Sequence, residues 1–336
     1  MAQSQAVQPG KTPPHAVNGR TSIGHSVRRL IVRHQNVLII WGVLLVALVV
    51  SSFVAESFTN PRNFPNIMRQ AAGLMLVSIG QLIIMLTGGI DLSVGSLISL
   101  VIVAMAAIMQ PTPESMLLAS GVGLSIGLLA GLINGVLVTR FRLAPFMVTL
   151  AGLSFYQGVA LQLRQNPQAT LPREYSPFFT GELIEGLPIP FVIIIVATFI
   201  AWIVLKHTRI GRHIYAVGSN EHATRLSGMA TDRVKVIAYT LGGFMAACAG
   251  LYVAARSRAG DPYIGESFAF DSITAVVLGG AALSGGSGSV WGTMAGVFII
   301  TILSNVLNLA GVPSNYQYIL KGGLLVLAVM LYRRRH

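Results

Sequence analysis

Apolar runs of about twenty residues, the length a helix needs to cross a bilayer, recur along almost the whole chain. In lipid, every backbone N–H and C=O must find a partner within the protein, so such runs leave helices as the practical solution. A membrane barrel would instead show short alternating strands, and the sequence reads otherwise. The expected fold is an all-α polytopic transmembrane helical bundle of about ten spans. The apolar segments are 37–55, 67–86, 94–109, 117–138, 144–161, 189–206, 236–254, 269–282, 290–309 and 316–332. Segments five and eight are short or interrupted by glycine and polar residues. Charged residues make up only 10% of the chain, against about 25% in a soluble domain.

The net charge of +12 invites a nucleic-acid reading, but its distribution argues against one. Basic residues sit in short segments between the apolar runs, as cytoplasmic loops of membrane proteins do. With the N-terminus inside, segments 1–36, 139–143, 206–235 and the tail "YRRRH" hold sixteen of the twenty-three lysines and arginines. The opposite side carries Arg62, Arg164, Arg173, Arg256 and Arg258, and collects Glu56, Glu114, Glu174, Glu182, Glu185, Asp261 and Glu266. Both termini are therefore expected in the cytoplasm, and nucleic acid is not an expected partner. All seven histidines fall in segments placed inside, which leaves none in the membrane to relay protons. Cys248 is the only cysteine, so neither a disulfide framework nor a zinc cluster is available.

Residues 1–36 contain no acid and are rich in Gly, Pro and Ser. They read as a disordered cytoplasmic tail, with a mitochondrial presequence as the alternative. The run after them is longer than the roughly 7–15 residues of a signal-peptide core, which points to a retained first span. Residues 37–332 form the transmembrane domain, with a long cytoplasmic loop at 206–235, and 333–336 are a cytoplasmic tail.

Asp91, one of eleven acidic residues, lies in "TGGIDLSVGS" between the second and third spans. The glycines allow a turn, and Asp91 or Ser93 can cap the next helix. The other reading is a polar elbow facing a transport route or a partner. "GGIDLSVGS" at 88–96 and "GGAALSGGS" at 279–287 share G-G-x-x-L-S-x-G-S at an offset of 191, with an even number of spans between them. That suggests an internal duplication. Gly123, Gly127, Gly131 and Gly135 make one small-residue face, and Gly242, Ala246, Gly250 and Ala254 another. Gly292 and Gly296 begin a third, and such faces let helix backbones approach closely.

In the loop "KHTRIGRHIYAVGSNEHATRLSGMATDRVKV", Ser219 or Asn220 can cap a short helix starting at Glu221, and Gly228 can end it. A helix this short gains little from standing alone in water, so either a cytoplasmic protein docks on it or the segment is a solvated loop. Four stretches carry a family resemblance. "TGGIDLSVGS", "GLINGVLVTRFRLAPFMVTLAGLSFYQG", "GRHIYAVGSNEHATRLSG" and "SITAVVLGGAALSGGSGSVWGT" resemble the ribose-type permease subunits of bacterial ATP-binding-cassette importers. The resemblance covers about residues 37–332 in the same order. It implies a multi-pass protein of the bacterial inner membrane working with a cytoplasmic ATPase and a periplasmic sugar-binding protein. It also implies a second permease copy, identical or similar, and a small monosaccharide as cargo. By this resemblance Gly211, Arg212, Asn220, Glu221, Ala223, Arg225 and Gly228 form the ATPase-coupling segment. One departure stands out: the family often reads E-L-D-A-I entering the eighth span, where this chain reads "AFDSI", with Ala269 in place of Glu and Asp271 kept.

Enzyme chemistry finds no foothold. "PGKTPP" ends like a phosphate loop, but Gln5 stands where its first glycine must be and prolines follow where a helix should start. No catalytic motif, cofactor site or metal site is read. An ion-coupled secondary transporter is the main alternative, together with the permease of a branched-chain amino-acid importer and a structural scaffold. Such a carrier needs ionisable groups within the membrane, and Asp271 and Lys321 are the candidates, although Lys321 can also snorkel outward. Gln81, Asp91, Asn134, Asp271, Asn305 and Lys321 are the candidate translocation path, with Gln157 and Asn308 as further polar side chains inside spans. The amides among them can equally bond helix to helix.

Overall fold

The computed structural model describes residues 23–163 and 170–333, with side chains from residue 37 onward except 328 and 331–333. Most of the tail at 1–36, Arg164, and the last basic residues lie outside the described residues. Residues 1–35 form one unit, of which only the start of the first helix is described, and 36–336 form the other.

Among its described residues the larger unit is all-α apart from one small hairpin. Its helices are α1 (Ile23–Val54) from Asn36 onward, α2 (Asn63–Leu86), α3 (Val94–Ile108), α4 (Pro113–Arg140), α5 (Pro145–Leu163), α6 (Pro177–Thr180), α7 (Ile189–His207) and α8 (Arg209–Ser219). They continue with α9 (Glu221–Leu226), α10 (Thr231–Ser257), α11 (Glu266–Leu278), α12 (Val290–Leu309) and α13 (Ser314–Arg333). Strands β1 (Glu182–Ile184) and β2 (Leu187–Pro188) pair antiparallel just before α7. Each of the ten apolar segments lies wholly or mostly in a helix, and among the described residues seven helices are long and apolar enough to cross a membrane. The chain is a polytopic helical membrane protein.

Lengths depart from the sequence reading at two places. Segment five is a full 19-residue helix. Segment three, α3, has only 15 residues, while segment eight is short as expected, with the 13 residues of α11; at about 1.5 Å per residue the two rise roughly 20 Å of the ~30 Å core. Their N-terminal turns meet: Gly265 N–H donates to Ser99 Oγ at 3.0 Å, and a Cβ on Gly95 would lie 2.7 Å from Gly265 O.

Helices α2, α3 and α10 make the core, and α2 and α3 are buried over most of their length. The glycine face of α4 lies on α10, where a Cβ on Gly127 would strike Ala247 and Gly243 O, and one on Gly131 would strike Tyr239 O. The anticipated α10 face, Gly242 and Gly250, turns instead to Ile84 on α2 and Val101 on α3. Gly292 and Gly296 pack against Gly279 and Ala275. Helix α1 stays largely exposed: Leu45, Val46 and Phe53 are 62%, 63% and 84% accessible, as lipid-facing side chains of a span must be.

Candidate functional site

Side chains singled out in the sequence gather in regions toward opposite ends of the bundle. At one, α2 stops in a Schellman motif: Gly88 N–H donates to Met85 O at 2.9 Å and Gly89 N–H to Ile84 O at 3.2 Å. Helix α11 stops the same way, with Gly280 N–H on Val277 O at 2.9 Å and Ala281 N–H on Val276 O at 3.1 Å. Gly88 and Gly280 take φ of +82° and +87°, values natural to glycine. The two similar strings also meet in space: a Cβ on Gly285 would lie 2.7 Å from Gly88 N, and beside it Gly286 N–H donates to Leu86 O at 3.0 Å. Their likeness is limited to the helix stop and is one residue out of the textual alignment. Ser93 directly precedes α3, whereas its match Ser284 lies well before α12.

Helix α8 runs into this junction. A Cβ on Gly218 would strike Leu86 O and Gly286 N, so the end of α8 touches both elbows by backbone alone. Tyr215 Oη donates to Gly288 O at 2.9 Å. Within the stretch expected as loop, α8 forms because Thr208 caps it through Gly211 N–H at 3.2 Å and Ile210, Ile214 and Val217 repeat at helical spacing. Tyr215 and Gly218 are the residues that reading missed.

Helix α9 follows at once. Asn220, not Ser219, caps it by accepting from Ala223 N–H at 2.9 Å; Ser219 Oγ donates to Tyr215 O within α8. Gly228, at φ +81°, ends α9 in a third Schellman motif, with bonds of 3.0 Å to Arg225 O and, from Met229 N–H, 3.3 Å to Thr224 O. Thr224 Oγ1 ties α9 back to Ala216 O at 2.9 Å. Glu221 accepts from Lys235 at 2.6 Å and Arg225 at 3.2 Å, and Arg225 also reaches Asp232 at 2.9 Å. Burial acts to raise the Glu221 pKa, but the Lys235 and Arg225 cations outweigh it and hold the carboxyl below its usual range. Of the expected coupling residues, Gly211 is buried at the start of α8, while Arg212, Ala223 and Arg225 are exposed. Leu226, on the same helix, is 77% exposed.

Three of the expected path residues form one buried network instead of standing apart. Asp91 Oδ1 accepts from Ser93 N–H at 2.8 Å and Ser93 Oγ at 2.6 Å. This is an Asx turn leading into α3, not a cap on its amides. Asn134 Nδ2 on α4 donates to Ser93 Oγ at 3.0 Å, and Tyr156 Oη on α5 donates to Asn134 Oδ1 at 3.2 Å. With its amide oriented to match, Gln81 brackets the Asp91 backbone, donating to O at 3.1 Å and accepting from N–H at 3.3 Å. The network pins the first elbow to α2, α4 and α5. Asn134→Leu leaves Ser93 and Tyr156 each short of a partner, a cost of about 1–3 kcal/mol. The expected result is a lower unfolding midpoint of the purified protein; an unchanged midpoint would mean that the network does not hold the elbow.

Toward the other end, Asn63 and Asn305 exchange two bonds of 2.9 Å. Lys321 Nζ lies 2.8 Å from Asp271 Oδ2, both side chains largely buried, and joins α13 to α11. The pair lines a cavity of about 310 Å³, as does Asn308, which accepts from Gln317 Nε2 at 2.8 Å. Gln157 lies elsewhere, donating to Pro262 O at 2.9 Å. Because α2 and α12 place this cavity near Gln70 and Asn308, it is far along those helices from the elbows.

A multi-pass helical bundle with a short capped helix fastened to a buried elbow junction at one end and a polar cavity toward the other has the build of a transport subunit. The chain belongs to the family described as the permease component of branched-chain amino acid transport systems, whose model matches residues 63–329. It is similar to the ribose import permease protein of Bacillus subtilis (strain 168), 40% identical over 294 residues, 87% of this chain and 91% of that protein. The ribose import permease protein of Escherichia coli (strain K12) is 38% identical over 296 residues, 87% and 92% of the two chains. The L-arabinose ABC transporter permease protein of Azospirillum brasilense is 31% identical over 336 residues, 98% and 97%. No solved structure matches the chain. As a permease component, the chain is a transport subunit and not an enzyme.

Proposed function

We propose that the chain is the membrane-spanning permease of an ATP-binding-cassette importer that moves a monosaccharide across the bacterial inner membrane. The observation that carries this reading is the 40% identity over 87% of the chain to a ribose import permease. Permeases named for L-arabinose and xylose support the same substrate class. A cytoplasmic ATPase supplies the energy, a periplasmic binding protein delivers the sugar, and a second permease copy completes the pore. Residues 1–36 and 333–336 are cytoplasmic tails, and the basic end that carries α9 faces the cytoplasm.

In this reading the ATPase grips α9 and buries Leu226. ATP-driven movement of α9 passes through α8 to the paired elbows, which end α2 and α11, and the bundle turns from outward- to inward-facing. Exposed ion pairs contribute only about 0–1 kcal/mol each, so Glu221→Ala or Arg225→Ala leaves folding and insertion intact. Both are expected to abolish sugar-stimulated ATP hydrolysis in the reconstituted importer, because α9 loses its fixed orientation on α10. Replacing 219–228 with a Gly-Ser linker is expected to remove the ATPase from a permease pull-down. Normal coupling in both point variants, with the ATPase still bound to the linker variant, would take this role away from α9.

A further inference from the structure

The cavity toward the outer end holds more hydrogen-bonding capacity than the protein uses. Gln70 on α2, Ser267 on α11, Thr301 and Ser304 on α12 and Ser314 on α13 line it, and among the described residues none of these side chains is bonded to another protein group. Its other polar groups are already spoken for: Asp271 with Lys321, and Asn308 with Gln317. Arg256, which also lines it, is exposed and donates to Arg69 O at 3.3 Å. A second cavity, of about 460 Å³ and beside Cys248, is lined by apolar side chains throughout, so polar lining is not a general property of this bundle.

We propose that the outer cavity is a binding station for a neutral polyhydroxylated solute of monosaccharide size, formed within a single permease chain. The volume, about 310 Å³, falls at the small end of small-molecule sites. Hydroxyls and one primary amide offer both donors and acceptors, the complement of a sugar ring's hydroxyls. The one acid present is neutralised by Lys321, so a bare ammonium group finds no free counter-ion there. A branched aliphatic side chain would leave the same five polar groups without partners. The proposal rests on the sugar-importer reading and adds to it that the permease itself holds the cargo, between α2, α11, α12 and α13.

The test uses the single cysteine. In the complete importer in right-side-out vesicles, Cys248→Ala with Ser304→Cys places one thiol in the cavity. A membrane-impermeant methanethiosulfonate is expected to label it, and saturating D-ribose, L-arabinose or D-xylose to slow labelling at least about fivefold. Equal L-leucine is expected to have no effect. In parallel, Ser304→Leu is expected to cut ATP-driven uptake of the transported sugar about tenfold while sugar-stimulated ATP hydrolysis persists. The conservative Ser304→Thr, which keeps a hydroxyl at the position, is expected to recover most of the uptake that Ser304→Leu loses. Labelling that none of the three sugars slows, or that L-leucine slows equally, overturns the station. If uptake by the unaltered importer runs without ATP, the importer reading itself fails, a result separate from the labelling.

Discussion

Gly218→Ala is expected to reach the membrane at normal abundance and to lose about thirtyfold of ATP-driven sugar uptake. The added methyl group has nowhere to go: it would strike the carbonyl oxygen of Leu86 and the amide nitrogen of Gly286, which are already bonded to each other at 3.0 Å. Those are backbone atoms of two elbows, so no side chain can swing aside, and the end of α8 must withdraw. Overpacking of this kind costs about 1–3 kcal/mol, and about 2 kcal/mol corresponds to roughly thirtyfold. The change lies outside the bilayer-length helices, so insertion is spared while the link from α9 to the elbows is loosened. Ser219→Ala is the matched control, since the Ser219 hydroxyl bonds only within α8. Uptake in vesicles, normalised to permease content, decides the matter. Unchanged uptake by Gly218→Ala would show that force does not enter the bundle through this contact.

The two ends of that link differ in how readable they are from sequence. Helix α9 could be placed in advance because its boundaries are local chemistry: Asn220 accepts from an amide three residues on, and Gly228 supplies the positive φ of the stop. The ten apolar segments were readable for a similar reason, since a run of that length satisfies its own backbone only as a helix. Helix α8 carries a local cap at Thr208, but its docking is not readable, because what it touches is distant in sequence, namely Leu86, Gly286 and Gly288. The repeated glycine strings were visible, yet their meeting was not, and neither was the one-residue slip between Gly88 and Gly280. The path candidates show the same limit. Nothing in the text joins Gln81, Asp91 and Asn134, and Tyr156, which closes their network, reads in sequence as an ordinary aromatic in a span. The free side chains of the outer cavity come from four different helices, so a pattern read along any one of them does not reveal it.

The Asp271–Lys321 pair yields the other large effect, and it separates an ATP-driven permease from an ion-coupled carrier. The two side chains are 14% and 16% accessible and 2.8 Å apart. Removing one partner strands the other charge in a poorly solvated wall, which costs about 3–5 kcal/mol. Asp271→Asn and Lys321→Met are each expected to lower the unfolding midpoint of the purified permease sharply. Removing both charges together leaves no stranded ion, and replacing a buried pair with uncharged groups is often close to neutral. The double variant is therefore expected to recover most of the lost stability, a positive coupling that a thermodynamic cycle measures directly. If the single losses simply add, the pair does not form in the membrane. The same proteins then test the energy source. In a carrier that binds H⁺ or Na⁺ through this pair, the double variant would lose ion-driven uptake however stable it became. In an ATP-driven permease the pair serves as a clamp between α11 and α13, and the requirement for ATP persists in whatever uptake the double variant shows.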